Sequence, residues 1–329
     1  MPDPLISVII PVFNGESFLE RCFLSIDAQD YQNLEIIFID NNSVDRSNRM
    51  IQKYCKQKNN AKLLYCKRQG PAAARNTGLD AARGEYISFL DVDDEIHSEK
   101  YSILMNALNA YPQAGMVLGR TEKKFENETS LVMDPGSLKP GLNPAPMPGM
   151  LWLQQFQFCP TIHSFILKRE AQEKIGFFPE DLFFGEDVAF LVKVGLVSGI
   201  VFLEQNICVY HRRSQSAVSV ANNNILPAER YLQFYTKFAL PYFSRRKNNK
   251  VYKLALTLSQ DISFKILMKL TFILKKKDSS LYSKLRNLNY PPKFKLYFLF
   301  FNFLPYRYAN YIYEIITDLF VKIKRLEIH

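Results

Sequence analysis

A doubly wound α/β fold with a mostly parallel sheet is predicted for the first hundred residues on three observations. Short apolar runs rich in β-branched residues alternate with segments of helical periodicity. Asn-Gly, Gly-Pro and acidic breaks separate them. Each polar cluster falls where an apolar run stops, which in open α/β sheets is the edge that meets ligands.

The elements follow in order. Leu5–Ile10 reads as a buried strand ended by Pro11. Asn14-Gly15 turns the chain, and Phe18, Leu19, Cys22, Phe23 and Ile26 recur with the spacing of an amphipathic helix reaching about Ala28. Leu34–Ile39 is a second strand, leading through Asp40–Asp45 into a helix that carries Met50, Ile51, Tyr54 and Cys55. Ala61–Tyr65 is a third strand. Gly70-Pro71 opens an Ala-rich helix and Gly84 closes it, the usual placement of proline inside a start and glycine past an end. Tyr86–Leu90 is a fourth strand and delivers Asp91, Val92, Asp93 and Asp94.

Beyond these lie a helix with Ile103, Leu104, Ala107 and Leu108, a strand at Ala114–Leu118, and a polar stretch, Asp134–Gly149, that reads as a loop able to fold over a substrate. Leu151–Phe158 is helical and Thr161–Leu167 strand-like. After a break at Ile175–Pro179, an apolar helix opens on Glu186 and Asp187. From about residue 225 the pattern is mostly helical, and the last helix gathers Ile312, Ile315, Ile316, Leu319, Phe320 and Ile323 on one face.

Composition narrows the class. With 329 residues, 47% of them apolar, the chain can bury a large core without staples. Five scattered cysteines with no CxxC pair argue against a disulfide framework or zinc and for a reducing compartment. No signal peptide is expected from the opening residues, and the apolar run Leu296–Leu304 is about half of the ~20 residues that a spanning helix needs. The net charge of +10 is uneven. Residues 241–329 hold 18 Lys+Arg against 5 Asp+Glu, while residues 1–240 hold 24 against 27. A basic, aromatic-rich end points to an anionic surface, membrane more than nucleic acid.

The sharpest chemical signal is the acidic run after the fourth strand. Three carboxylates within four residues repel one another and would raise one another's pKa, so a hard divalent cation is the usual way to keep them ionised, and such a cation suits phosphates. The bland reading is that Asp94 or Ser98 caps the helix starting near Glu99. Neither GxGxxG nor GxxxxGK[ST] occurs, so no dinucleotide fold or P-loop is signalled.

Taken together, Ser7–Asn14, Phe38–Asp45, Ala74–Gly78, Gly84–Asp94 and Gly185–Asp187 resemble, in order and spacing, the family 2 glycosyltransferases over roughly residues 5–215. The resemblance implies a GT-A fold: a nucleotide-sugar-binding half at 1–120 and an acceptor-binding, catalytic half at 121–220, followed here by a basic helical extension at 221–329. It implies inverting transfer of a sugar from a nucleotide diphosphate to a hydroxyl of a saccharide or lipid-linked acceptor. Pro11, Val12, Phe13, Asn14, Asp40, Asn41 and Ser43 are then expected at the nucleoside. Asp91, Val92 and Asp93 match the Asp-x-Asp motif for ribose and Mn2+ or Mg2+, with His211 as a further metal ligand. Arg75, Arg212 and Ser216 are expected near the diphosphate, Asp187 as general base and Glu186 as its neighbour.

Two departures bear on the donor: Asn41 stands where the family often has Asp, and Phe13 where Tyr is common, so UDP is favoured over dTDP with less force. His163 and His97 are read as bystanders, and Trp152 as core. The same resemblance implies bacterial surface polysaccharide or glycolipid synthesis at the inner face of the cell membrane, with peripheral contact to an anionic leaflet; a homodimer stays open. A sugar nucleotidyltransferase would need a Gly-rich basic loop after the first strand, which Pro11–Gly15 does not supply. A glycosyltransferase-like scaffold would have no need of the acids.

Overall fold

The computed structural model describes residues 3–127, 129–182, 184–212 and 227–277. Ser216 and the helix expected over Ile312–Ile323 lie outside the described residues. The chain divides into two compact units, one of Met1–Leu226 with Gln233–Ser259, the other of Pro227–Leu232 with Gln260–His329. The first unit contains the whole sheet.

Strands β1 (Ile6–Val12), β2 (Leu34–Asp40), β3 (Ala61–Tyr65) and β4 (Tyr86–Phe89) alternate with helices α1 (Glu16–Asp27), α2 (Ser47–Gln57) and α3 (Pro71–Ala81). The rest of the sheet comes from β5 (Glu95–Ile96), β6 (Ala114–Phe125), β7 (Ser130–Val132), β8 (Gly141–Asn143), β9 (Phe165–Lys168) and β10 (Gly199–Arg212). Helices α4 (Lys100–Ala110), α5 (Met147–Gln154), α6 (Arg169–Ile175) and α7 (Glu186–Val197) complete this α/β layer. The sheet order is β3-β2-β1-β4-β9-β6-β10-β5, with β7 on β6 and β8 on β10. Parallel pairs predominate among the paired residues, joining β3, β2, β1 and β4 and, further along, β6 with β10.

Burial on both faces explains why β1 and β2 read as mostly apolar runs without polar alternation: every residue of β2 is buried, and so is all of β1 except Pro11. Pro11 fits inside β1 for a specific reason. The carbonyl of Val12 faces β2 and that of Ile9 faces β4, so the ring nitrogen of Pro11 points to the β4 side. Pairing with β4 has already stopped at Ile9 opposite Phe89, and no ladder bond is lost.

Several boundaries differ from those the sequence predicts. Helix α3 ends at Ala81, three residues before Gly84. Gly84 is instead required by close approach, since a Cβ there would lie 2.5 Å from the Ser7 nitrogen and 2.7 Å from the Tyr86 oxygen. Neither Asp94 nor Ser98 caps α4, whose N-cap is Glu99 without a side-chain cap bond. Strand β9 begins only after a turn in which the Ser164 amide and hydroxyl both donate to the Thr161 carbonyl. It then pairs antiparallel with both β4 and β6, an insertion that periodicity alone does not reveal. The expected loop at Asp134–Gly149 contains β8 and the first turn of α5.

Beyond the sheet, a π-helical turn at Phe234–Ala239 and a helix at Leu240–Ser244 belong to the first unit. They are held there by Phe156 against Phe234 and by the Tyr235 hydroxyl, which donates to the Leu153 carbonyl. In the second unit the described residues, 227–232 and 260–277, are helical.

Candidate active site

Three segments meet at the carboxyl ends of the central strands. After β4 the chain turns tightly, the Asp94 amide donating to the Asp91 carbonyl, and sets out Asp91, Asp93 and Asp94. Helix α3 starts at Gly70, whose φ of +123° only glycine adopts readily, with Pro71 in its first turn. Helix α7 is entered through Gly185 at φ +80°, which lets Glu186 and Asp187 sit in the opening turn with the positive end of the helix dipole.

Arg75 joins the other two. Its Nη2 lies 2.8 Å from Asp91 Oδ1 and its Nη1 3.0 Å from Glu186 Oε1, with the guanidinium 5.6 Å above the Phe178 ring. Arg75 is 5% exposed. Burial alone would depress its pKa, but Asp91 and Glu186 outweigh that and raise it, so the charge is permanent. The next residue, Asn76, clasps the segment leading to α7. It donates to the Phe178 carbonyl (3.0 Å) and to Glu180 Oε1 (2.9 Å), and accepts from the Phe178 amide (2.9 Å).

The acids of α7 are kept basic. Burial, reinforced by the charge of Asp187, pushes the Glu186 carboxyl up to about 7 against the pull of Arg75. Burial also raises Asp187, opposed by Arg75 and by the Val188 amide, which donates to Asp187 Oδ1 at 2.7 Å. The two titrate as a pair, holding a proton toward neutrality.

Below Arg75 lies a mixed donor set. One donor atom each from Asp91, Asp94 and His163 lie within 4.8 Å of one another. His163 is 1% exposed, with Nδ1 3.1 Å from Asp94 Oδ2, yet neither ring nitrogen makes an aligned hydrogen bond. Burial pushes its pKa down to about 3, so the imidazole is neutral and able to ligate. Carboxylate oxygens with one imidazole nitrogen suit Mn2+ or Mg2+, and this chemistry fits the residues present. The Asp94 Oδ1 accepts from the His211 amide at 2.9 Å, while His211 Nε2 lies 2.5 Å from Glu95 Oε1. Arg21 completes this rim, its Nη2 donating to the Asp93 carbonyl at 2.6 Å and its Nε lying 3.3 Å from Glu95.

A second group of expected residues lines the ends of β1 and β2. Phe13 is 54% exposed, as a stacking surface must be, and Val12 is buried. Asn14 and Ser43 are engaged with each other's loops: the Asn14 amide donates to Ser43 Oγ (3.0 Å) and the Val44 amide to Asn14 Oδ1 (2.9 Å). Asp40 accepts from the Ser43 amide and from Asn48 Nδ2, both at 3.0 Å. Asn41 is buried and commits its whole amide to the loop before α3, donating to the Cys66 and Arg68 carbonyls and accepting from the Gly70 amide. These side chains shape the pocket wall. Arg212 ends β10, half-buried, and Val92 is buried beneath the acids.

The sequence pattern of glycosyl transferase family 2 matches residues 7–176, more than half of the chain. The chain belongs to that family. Relatives of this glycosyltransferase include a Haemophilus influenzae glycosyltransferase, 46% identical over 104 residues that span 31% of this chain and 42% of the relative. Another is Bacillus subtilis EpsJ, 25% identical over 238 residues, 72% of this chain and 69% of that one. A third is a GalNAc(5)-diNAcBac-PP-undecaprenol beta-1,3-glucosyltransferase of Campylobacter jejuni, 42% identical over 108 residues, 32% of this chain and 35% of that protein. Among solved structures, S. aureus TarS in complex with UDP-GlcNAc aligns with a TM-score of 0.60 at 20% identity, covering 84% of this chain and 75% of that one. The mannosyltransferase PcManGT of Pyrobaculum calidifontis, with GDP-Man and Mn2+, aligns at 0.55 and 19% identity, covering 98% and 90%. The fold of the glycosyltransferase is therefore GT-A.

Two residues of the candidate site were not among those expected from sequence. His163, read as a bystander, lies against the acids, and Asn76 holds the approach to Glu186. A signal for His163 was absent because only the antiparallel insertion of β9 brings it beside the end of β4. Asn76 stands next to Arg75 inside the Ala74–Gly78 motif, so its neighbourhood, though not its partner, was legible.

Proposed function

We propose that this glycosyltransferase moves a sugar with inversion from a nucleotide diphosphate, UDP favoured, to a hydroxyl of a saccharide or lipid-linked acceptor. The supporting observation is the double ion pair of Arg75, which ties Asp91 after β4 to Glu186 at the start of α7. In this reading the acceptor hydroxyl attacks the sugar C1 on the face opposite the diphosphate. The C1 to acceptor-oxygen bond forms as the C1 to phosphate-oxygen bond breaks, and the hydroxyl proton passes to Asp187. Its raised pKa suits it to that task, because a base nearer neutrality holds the proton it has taken.

Arg75 keeps Glu186 and Asp91 fixed across the crevice, so the base and the donor-binding acids keep one geometry. A divalent cation, Mn2+ or Mg2+, assigned by the resemblance to Asp91, Asp93 and His211, would offset charge on the departing diphosphate when bound. Phe13 would stack on the nucleoside, with Pro11, Val12 and Asp40 forming the wall beneath it and Asn14, Asn41 and Ser43 bracing the loops around it; Arg212 and Ser216 are assigned to the diphosphate by the resemblance. The same fold holds UDP-GlcNAc in TarS and GDP-Man with Mn2+ in PcManGT, so it accommodates either base.

The Campylobacter relative acts on an undecaprenol-linked oligosaccharide, which favours a lipid-linked acceptor and surface glycan synthesis here. Among the described residues no helix is long and apolar enough to cross a membrane. Exposed Arg245, Arg246, Lys247, Lys250 and Lys253 offer an anionic leaflet a peripheral contact instead. Nucleotide release from a panel of UDP-, GDP- and dTDP-sugars with Mn2+ or EDTA, with the product anomer read by NMR, tests this function. Release only with metal and an inverted anomer is expected; a retained anomer, or transfer undiminished in EDTA, would refute it.

A further inference from the structure

We propose that Glu180 is a positioning residue of the transfer, linking the loop at residues 66–70 beside the nucleoside to the segment at residues 176–182 that seats Arg75. Through it a bound nucleotide steadies the acids of α7. This rests on the reading of the ends of β1 and β2 as the nucleoside wall and of Glu186 and Asp187 as the acids beside the reacting hydroxyl.

The loop at residues 66–70 is held from the end of β2. Asn41 donates to the Cys66 and Arg68 carbonyls at 3.0 and 2.7 Å and accepts from the Gly70 amide at 2.8 Å. Asn42 donates to the Lys67 carbonyl (3.2 Å) and to Gln69 Oε1 (3.0 Å). Arg68 then reaches out of the loop and forms a two-pronged pair with Glu180, Nη2 to Oε1 at 3.1 Å and Nε to Oε2 at 2.9 Å. Such a fork fixes direction as well as distance.

Glu180 passes that constraint on. Its Oε1 also accepts from Asn76 at 2.9 Å, and the same Asn76 side chain clasps the Phe178 backbone through both amide and carbonyl. The Phe178 ring stacks on Phe190 of α7 at 4.0 Å, meets Phe89 of β4 edge-on at 5.3 Å and lies beneath the Arg75 guanidinium. Lys193 of α7, 5% exposed, donates to the Ile175 and Phe177 carbonyls at 3.0 and 2.5 Å. Residues 175–178 are thus fastened to α3 and α7 together, and a shift of Glu180 is carried into the pair of Arg75 with Glu186. The Arg68 and Glu180 side chains are 65% and 34% exposed, so the fold itself gains little from their pairing.

The test is hydrogen exchange read by mass spectrometry on the whole chain, with and without UDP and Mn2+, in wild type, Glu180→Ala and Glu180→Gln, beside steady-state kinetics. In wild type UDP should slow exchange by about threefold or more in peptides covering residues 66–70 and residues 176–182. Glu180→Ala should keep the first protection and lose the second. Its kcat should fall about tenfold, with the Kd for UDP within about threefold and the thermal midpoint close to wild type. Glu180→Gln, which can still accept from Asn76 and Arg68, should recover most of the loss. Protection at residues 176–182 that is missing from wild type, or unchanged in Glu180→Ala, would overturn the coupling, as would a fall in kcat that only tracks lost stability. Exchange needs no turnover, so a wild type that shows the linked protection yet transfers no sugar would fail the functional reading and leave the coupling standing.

Discussion

A buried carboxylate and a part-buried pair of carboxylates stand at opposite ends of the same sheet, and they are treated in opposite ways. At the amino end of β2, Glu35 is 3% exposed and accepts four hydrogen bonds: Ser7 Oγ (2.6 Å), the Arg83 amide (2.9 Å), Arg83 Nε (2.8 Å) and Lys62 Nζ (2.9 Å). Burial would raise its pKa, but these donors outweigh it and bring the carboxyl down to about 2. At the carboxyl end, Glu186 and Asp187 are part-buried beside one cation, Arg75, and are raised. The number of donors per carboxylate separates an anchor from a base. A fully satisfied acid holds the fold, and a partly satisfied one keeps its affinity for a proton.

Substitutions at the two ends should therefore separate activity from stability. The largest loss of transfer is expected for Asp187→Asn, about 1,000-fold in kcat, with donor binding and thermal midpoint close to wild type in calorimetry. Arg75→Met should follow at about 100-fold, because both acid groups lose their fixed spacing; steady-state kinetics across a donor series would measure it. Glu35→Gln should leave kcat unchanged at low temperature while destabilising the protein by about 2 kcal/mol in urea at pH 7, since the charge-assisted hydrogen bonds that Ser7, Lys62 and Arg83 donate to the buried carboxylate are weakened. Its pH dependence has a definite sign. Because the folded pKa lies below the ordinary value of 4.5, the contribution is complete above that pH and is lost as pH falls toward 2. Glu35→Gln should lack this acid-dependent loss. A Glu35→Gln variant as stable as wild type, or a crippled but equally folded one, would erase the contrast.

Much of the fold was legible because both faces of the parallel strands are buried, which writes Ile6–Val12 and Leu34–Asp40 as mostly apolar runs without polar alternation. The site acids were legible for a related reason: Asp91–Asp94 and Glu186–Asp187 adjoin a strand end and a helix start, and both features have local signals. What periodicity missed is non-local. Strand β9 slots antiparallel between β4 and β6, and only that topology carries His163 to the acids. Gly84 looked like a helix terminator because close approach to Ser7 and Tyr86 and a helix end both call for glycine. Asn41 looked free to read a base, although its amide is spent on the loop before Gly70. Sequence shows which groups are polar and leaves open where their hydrogen bonds go.

The most direct test of the central claim is the pH dependence of kcat/KM for wild type and Arg75→Met. Burial raises both α7 acids and Arg75 opposes it, so the base takes up its proton at a higher pH than an ordinary carboxylate does. Activity should fall on acidification with a midpoint well above the ordinary carboxylate range, and removing the arginine charge should move that midpoint further upward. An acid limb near pH 4, unmoved by Arg75→Met, would contradict the account.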